Sequence, residues 1–146
     1  MSNFKILLVD DEESFLEQAE LFVERINNSL QVITTSSAKE ALDILDEEDE
    51  LDAVVSDYQM PGIDGLQFLE KVRNERGRDI PFIMFTGKGR EEVAMKSLNL
   101  GADRYLRKGG DPKSQYAVLV DAIIQEINHF YAKKNLRESE ERYRRL

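Results

Sequence analysis

Acidic side chains stand at two points of the sequence where an apolar run ends. Asp10 and Asp11 follow one such run, and Asp57 follows another that contains Val54 and Val55. Clustered carboxylates bind hard divalent cations, and a carboxylate beside a cation can attack a phosphoryl group. A simpler interpretation is that Asp57 only caps the turn that follows it, and this stretch alone does not separate the two.

A hydroxyl and an ammonium group follow two further strand-like runs, of which the second is less apolar and is therefore expected nearer an edge of the sheet. Thr86 comes after the run at 82–85, and Lys108 comes after the run at 104–107. The glycines and lysine at 86–89 lack the Gly-x-x-x-x-Gly-Lys-Ser/Thr spacing of a phosphate-binding loop. We therefore interpret this segment as a flexible loop after a strand, not as a nucleotide site.

The composition excludes several other kinds of site and partner. The 146 residues suit one domain; they include no cysteine and a single histidine, His129, which we interpret as a surface residue. Thiolate and histidine-cluster metal sites are therefore excluded. The net charge of −9 argues against nucleic-acid binding. With neither a signal-peptide pattern nor an apolar run of roughly 18–20 residues, we expect no membrane partner and a cytoplasmic protein.

Five strand-like runs alternate with five amphipathic helical stretches. The strands are predicted at 4–9, 30–35, 53–56, 81–85 and 104–107, and the helices at 14–26, from 38, from 65, at 91–100 and from 113. This alternation predicts an α/β fold with a doubly wound parallel sheet and right-handed crossovers. The flavodoxin-like strand order 2-1-3-4-5 leaves strand two at an edge and brings the ends of the other four together.

This order would place all the candidate side chains at one edge of the sheet. Two ionised carboxylates about 4 Å apart repel by roughly 4 kcal/mol at an effective dielectric near 20, so protons or a cation must compensate. A site with only oxygen ligands favours Mg²⁺ or Mn²⁺. With Lys108 as a fixed positive charge opposite the metal, Asp57 is equipped to attack a phosphoryl group.

With these elements in this order, residues 4 to about 131 resemble the receiver domains of two-component response regulators. The matching features are Asp10-Asp11, Asp57 within Asp-Tyr-Gln-Met-Pro-Gly-Ile-Asp-Gly, Thr86 before a small residue, Gly101-Ala102-Asp103, Tyr105 and Lys108. The resemblance implies that Asp57 accepts a phosphoryl group from the phosphohistidine of a sensor histidine kinase or a phosphotransfer domain. It also implies that the chain catalyses this gain and the later loss, whereas a kinase activity of the parent protein stays open.

The resemblance implies a metal site as well. Asp11, Asp57 and the backbone carbonyl of Gln59 would hold Mg²⁺, or Mn²⁺ in its place, and Asp10 would act through water. Gln59 stands two residues after Asp57, where its side chain could also tune the lifetime of the phosphoryl group.

The remaining implied roles belong to residues at the ends of the last two strands. Lys108 would pair with the phosphoryl oxygens, Thr86 would follow them as the switch hydroxyl, and Tyr105 would change between outward and inward positions. We interpret Lys88 as a solvated side chain, although two residues after Thr86 it could also reach a phosphoryl oxygen or a nearby acid and so tune the site. Glycines at 109–110 replace the proline that family members commonly have after the lysine, so a cis peptide is not expected there.

Two other classes of protein stay open at this point. A metal-dependent phosphohydrolase could use Asp57 as its nucleophile, but such enzymes usually need a second acid two residues later, where Gln59 stands. A pure interaction module would not require Lys108 and Thr86 together. Both alternatives are weaker than the receiver interpretation.

The last part of the chain differs in character from the rest. We predict a receiver domain at 1–131 and a charged helical linker at 132–146, which leads toward a missing downstream domain of the PAS type. Leu136, Tyr143 and Leu146 are spaced by seven and three residues, which suggests one weak seam that two chains could share as a weak homodimer. A frayed tail is the alternative.

Overall fold

The five predicted strands form one parallel sheet in the computed structural model, which describes residues 3–87 and 89–145. The strand order is β2-β1-β3-β4-β5, which confirms the predicted flavodoxin-like fold. The strands are β1 (Phe4–Val9), β2 (Leu30–Thr35), β3 (Ala53–Ser56), β4 (Phe82–Thr86) and β5 (Arg104–Arg107). The helices are α1 (Glu13–Ile26), α2 (Ala38–Glu47), α3 (Gly65–Glu70), α4 (Glu91–Asn99) and α5 (Pro112–Arg144).

The sheet is buried on both faces because helices pack on each of them, and side chains alternate between the two faces along each strand. In β1, Ile6 and Leu8 pack with α1 and α5, whereas Leu7 and Val9 pack with α2 and α3. Strands buried on both sides are apolar at every position, not at every second one. This is why β1, β3 and β4 are recognisable in the sequence as largely apolar runs, whereas the edge strands β2 and β5 are more polar.

Hydrogen bonds at its start and at its end fix the turn that follows β3. The Asp57 N–H donates to the Val9 carbonyl at 2.9 Å, which ties the end of β3 to β1. Asp64 caps α3, since its carboxylate accepts from the Gln67 N–H at 2.9 Å and its own N–H donates to the Gln67 side chain. Asp57 therefore lies in a crevice between a strand and a helix, as predicted.

The helix after this turn is longer than the sequence suggested. We expected a polar turn from Arg73 to Asp79, but α3 continues without a break as a π-helical turn, Lys71–Glu75. Arg73 explains the difference, because its guanidinium turns inward and donates to the carbonyls of Gly101, Arg78 and Ile80. A charged side chain that binds buried carbonyls cannot be distinguished in a sequence from one that points to solvent.

Helix α5 has 33 residues, and only its first half packs on the sheet. Its last buried side chain is Ile127. Tyr131 then anchors the helix, since its hydroxyl donates to Asp52 at 2.6 Å and its ring stacks on Phe4 with 6.5 Å between centroids. From residue 131 to 145 every side chain is exposed. No described helix combines the length and hydropathy that a membrane span needs.

The Tyr131 anchor should weaken at high pH. The hydrogen bond to Asp52, together with burial, raises the pKa of Tyr131 from its ordinary 10.0 to about 12. Its contribution is therefore complete below pH 10 and declines as the pH rises toward 12. We expect Tyr131→Phe to lower the free energy of unfolding by about 0.5–1 kcal/mol at neutral pH, a modest loss since Tyr131 is 38% exposed.

Urea unfolding of both chains at a pH of about 8 and of about 11 measures this effect. The difference in stability between wild type and Tyr131→Phe should shrink at the higher pH. Tyr143→Phe is the matched control, because the Tyr143 side chain is 80% exposed. A difference that stays constant between the two pH values would contradict the assignment.

Candidate functional site

The carboxyl ends of β1, β3, β4 and β5 border a cleft of about 350 Å³. The residues that line it are Asp11, Glu12, Phe15, Asp57, Gln59, Met60, Pro61, Gly87 and Lys108. The strand order brings these ends together, while β2 pairs only with β1 at the far edge of the sheet. The sequence prediction that β2 takes no part in the site agrees with this arrangement.

Three carboxylates converge in this cleft. Asp10, Asp11 and Asp57 each offer an oxygen atom, and these atoms lie within 4.8 Å of one another. Asp11 is exposed, whereas Asp10 is only 1% exposed. Burial raises the pKa of Asp10, and the hydrogen bonds that it accepts from Lys108 and the Glu12 N–H act in the opposite direction. Such a set of oxygen donors fits a hard divalent cation.

Lys108 is the cationic partner of this cluster. Its Nζ lies 2.5 Å from Asp10 Oδ2 and 3.8 Å from Asp57 Oδ1. Its backbone N–H donates to the Thr86 carbonyl at 3.0 Å, so the residue is fixed to the end of β4. Asp57 is held separately, because its Oδ1 accepts from the Tyr58 N–H at 2.9 Å.

The loop after Lys108 takes a course that only glycine readily allows. Gly109 and Gly110 have φ angles of +146° and +79°, and no described peptide bond is cis. Both angles lie in the region that side chains with a Cβ rarely adopt. The Gly109 N–H then donates to the Gln115 side chain at 2.6 Å. This agrees with the expectation that the chain reaches Lys108 without a cis peptide.

Thr86 and Tyr105 lie next to each other beside the cleft. Thr86 is fully buried at the end of β4. The Tyr105 hydroxyl is buried and makes no hydrogen bond within the described residues, and burial raises its pKa while Arg107 acts in the opposite direction. A Cβ on Gly89 would lie 1.7 Å from this hydroxyl and 3.1 Å from the Thr86 methyl carbon. Tyr105 therefore holds an inward position that needs glycine at position 89.

Gln59 and Lys88 are the two predicted tuning residues. Gln59 is exposed and lines the cleft. Lys88 lies outside the described residues. Sequence reasoning missed Phe15, whose ring centroid is 4.0 Å from the Lys108 ammonium. Phe15 follows the ordinary apolar spacing of α1, so the sequence carried no signal of this contact.

The chain belongs to the response regulator receiver domain family, since the model of that family matches residues 6–134. It is 34% identical over 135 residues to the regulatory protein VanR of Enterococcus faecium, covering 92% of this chain and 56% of VanR. It is 33% identical over 126 residues to the response regulator SaeR of Staphylococcus aureus strain USA300, covering 86% of this chain and 53% of SaeR. The chain thus spans about half the length of these relatives.

Solved structures give the same result. A response regulator receiver domain from Clostridium thermocellum has a TM-score of 0.76 at 31% identity, covering 91% of this chain and 98% of that chain. A CheY-like receiver domain from Methanospirillum hungatei JF-1 has a TM-score of 0.74 at 26% identity, covering 88% and 99%. The predicted fold and the predicted family, the receiver domains of two-component response regulators, are therefore confirmed.

The carboxylate cluster should destabilise the chain when no cation is bound. Asp57→Asn removes repulsion with Asp10 and Asp11 but also the attraction to Lys108, so we expect a net gain of about 1 kcal/mol in the free energy of unfolding without divalent ions. Mg²⁺ at about 100 times its dissociation constant should stabilise wild type by about 2.7 kcal/mol. Mg²⁺ should stabilise Asp57→Asn much less than wild type.

Urea unfolding in EDTA and in Mg²⁺ measures both effects. Asp49→Asn serves as the control, because Asp49 is an exposed acid away from this cleft. An equal Mg²⁺ effect in wild type and Asp57→Asn would exclude Asp57 from the cation site.

Proposed function

We propose that this chain accepts a phosphoryl group on Asp57 from the phosphohistidine of a sensor histidine kinase or a phosphotransfer domain. One observation carries the proposal: the Asp57 carboxylate lies within 4.8 Å of two other carboxylates and 3.8 Å from the Lys108 ammonium. The cleft thus combines a nucleophile with a cation-binding acid cluster and a fixed positive charge. This is the combination that phosphoryl transfer to a carboxylate requires.

In the proposed step, an Asp57 carboxylate oxygen bonds to phosphorus while the bond from phosphorus to the donor histidine nitrogen breaks. The electron pair of that bond stays with the imidazole. Lys108 is 18% exposed, so its charge acts on the transferred oxygens with little screening by water. Loss of the group is hydrolysis, in which a water oxygen bonds to phosphorus and the bond to Asp57 breaks, which restores the carboxylate and releases inorganic phosphate.

Asp11, Asp57 and the Gln59 carbonyl are the proposed ligands of Mg²⁺, and Asp10 is proposed to act through water. The all-oxygen donor set supports this assignment, and Mn²⁺ suits the same donors. When bound, the ion would neutralise charge on the acid cluster and on the phosphoryl oxygens. Asp10 has a second role, because its 2.5 Å contact holds the Lys108 ammonium beside Asp57.

We further propose that Thr86, Tyr105 and Lys108 together form the switch. One hydrogen bond to a charged group contributes about 1.5–3 kcal/mol, whereas a change from 1:99 to 99:1 between two states takes about 5.5 kcal/mol. Thr86 alone is therefore insufficient. The buried Tyr105 hydroxyl forms no hydrogen bond within the described residues, so packing alone holds the inward position and the ring can leave without breaking one.

Two observations favour this function over the alternatives. Gln59 lines the cleft two residues after Asp57, where a phosphohydrolase would usually need a second acid. An interaction module without chemistry would not need a buried aspartate, since burying a charged group is costly unless it is paired. Asp10 is 1% exposed and paired with Lys108, as a working site requires.

Labelling with phosphoramidate tests the proposal directly. We expect Mg²⁺-dependent addition of one phosphoryl group, abolished in Asp57→Ala and severely reduced in Asp11→Ala because the cation site is lost. Intact-mass spectrometry measures the addition. Undiminished labelling of Asp57→Ala would rule out Asp57 as the acceptor, and continuous release of phosphate without labelled protein would indicate a hydrolase.

The same labelling reaction, applied to Thr86→Ala, tests the switch. Thr86→Ala should still be labelled, but its amide NMR spectrum should change only partly, because Lys108 and Tyr105 still respond. The full spectral change in Thr86→Ala would remove the threonine from the switch.

We propose that residues 132–146 form a signalling linker after a receiver domain at 1–131, leading to a downstream domain of the PAS type. The described part of this segment continues α5 to Arg144 with every side chain exposed. Leu136 and Tyr143 are 62% and 80% exposed and stand one heptad apart, while Leu146 lies outside the described residues. A single exposed helix of this length is marginal in water, which supports weak pairing between two chains.

Sedimentation measures this pairing. The chain with and without residues 133–146 should be compared, each in the presence and absence of fluoroberyllate as a phosphoryl mimic. We expect weak self-association that requires residues 133–146 and changes when fluoroberyllate is bound. The double variant with Leu136→Gln and Tyr143→Gln, which keeps the net charge of the segment, should not self-associate. If deletion alters neither the association nor its response, the segment is only a tether.

A further inference from the structure

We propose that Phe15 is a positioning residue whose ring face holds the Lys108 ammonium between Asp10 and Asp57. The Lys108 Nζ lies 4.0 Å from the Phe15 ring centroid, well inside the distance at which a cation is attracted to an aromatic face. Phe15 also lines the cleft. The inference rests on the proposed function of Asp57 and names a further residue that supports it.

Phe15 is itself held in place by other aromatic rings. Its centroid lies 6.1 Å from that of Phe85 and 6.2 Å from that of Tyr116. Tyr116 is fully buried, and its hydroxyl donates to the Gln18 side chain at 2.9 Å. The Phe15 ring is therefore a fixed surface, so a contact with its face restricts where the ammonium can be.

Lys108 needs such a surface because the backbone contacts around it do not fix the far end of its long side chain. The backbone is fixed by Thr86 and by the hydrogen bond of the next residue, Gly109, to Gln115, but the lysine side chain has a flexible four-carbon stem. Without a further contact, the position of Nζ would depend only on the Asp10 and Asp57 carboxylates. Phe15 supplies an uncharged contact from α1, an element that does not contain the nucleophile.

A ring face suits this role better than a polar group would. The ammonium lies 2.5 Å from Asp10 but 3.8 Å from Asp57, so it must turn when a phosphoryl group adds negative charge at Asp57. An aromatic face attracts a cation without a directional hydrogen bond and without a net charge. Lys108 can thus turn toward Asp57 while it stays on the ring.

Phe22 offers a matched control for the loss of an aromatic ring. It stacks on the same Tyr116, with 5.2 Å between centroids, and like Phe15 it is half-buried. It does not line the cleft. A merely structural role for Phe15 predicts similar effects at both positions, whereas the positioning role predicts an effect on Lys108 at position 15 only.

The experiment compares Phe15→Leu, Phe15→Tyr and Phe22→Leu, together with chains that carry mono-, di- or trifluorinated phenylalanine at position 15. Fluorine withdraws electrons from the ring face with little change of shape. We expect Phe15→Leu to lower the rate of phosphoramidate labelling about tenfold, the equivalent of about 1.4 kcal/mol. The rate should fall with each added fluorine, recover in Phe15→Tyr, and stay within about twofold of wild type in Phe22→Leu.

NMR of the Lys108 side chain provides a second readout that does not depend on labelling. The ring current of Phe15 should shift the ε-methylene protons of Lys108 upfield in wild type and in Phe22→Leu, and this shift should disappear in Phe15→Leu. Lys108→Arg assigns the resonance. Equal labelling rates across the fluorinated series, or an unchanged Lys108 shift in Phe15→Leu, would overturn the proposal.

The two readouts also separate this inference from the proposed function. If wild type is not labelled, the acceptor role of Asp57 fails, and the Lys108 resonance alone then decides whether Phe15 holds the ammonium. If wild type is labelled and the position 15 chains match it, only the role of Phe15 fails.

Discussion

Mutual repulsion of three carboxylates at one edge of the sheet is the constraint on which the rest of this structure depends. Asp10, Asp11 and Asp57 lie within 4.8 Å of one another, which no folded chain tolerates without compensation. Lys108 supplies part of that compensation, and a divalent cation or a change of protonation must supply the rest. The site therefore has a stored unfavourable energy, and any event that adds or removes charge there changes the balance.

The fold holds this unfavourable cluster by distributing its members over different elements. Asp10 follows β1, Asp57 follows β3, and Lys108 follows β5. Each is fixed by a backbone contact to a neighbouring strand or turn, and the sheet beneath them is buried on both faces. Rigidity in the sheet allows the charged groups to stay close, while the loops beyond the strands can respond.

Most of this arrangement could be predicted from the sequence because parallel topology leaves few choices. Once five parallel strands alternate with helices, the residues at the carboxyl end of each strand must lie at the same edge of the sheet. The proximity of Asp57, Thr86 and Lys108 could therefore be predicted from the sequence. The positions of Arg73 and Phe15 could not. Both have the spacing of ordinary helix residues, and only the three-dimensional structure shows that one binds buried carbonyls and the other an ammonium group.

Helix α5 also has a mechanical consequence. The segment beyond Tyr131 extends as a continuous helix to Arg144, a rod of about 20 Å whose side chains are all exposed. The helix is held to the domain at Tyr131, which is hydrogen-bonded to Asp52 and stacked on Phe4. If α5 tilted by about 5° at Tyr131, its far end would move by roughly 2 Å, a distance comparable to the helix shifts in known switches. Rearrangements too small to notice at the sheet would thus be amplified at the point where the chain leaves the domain.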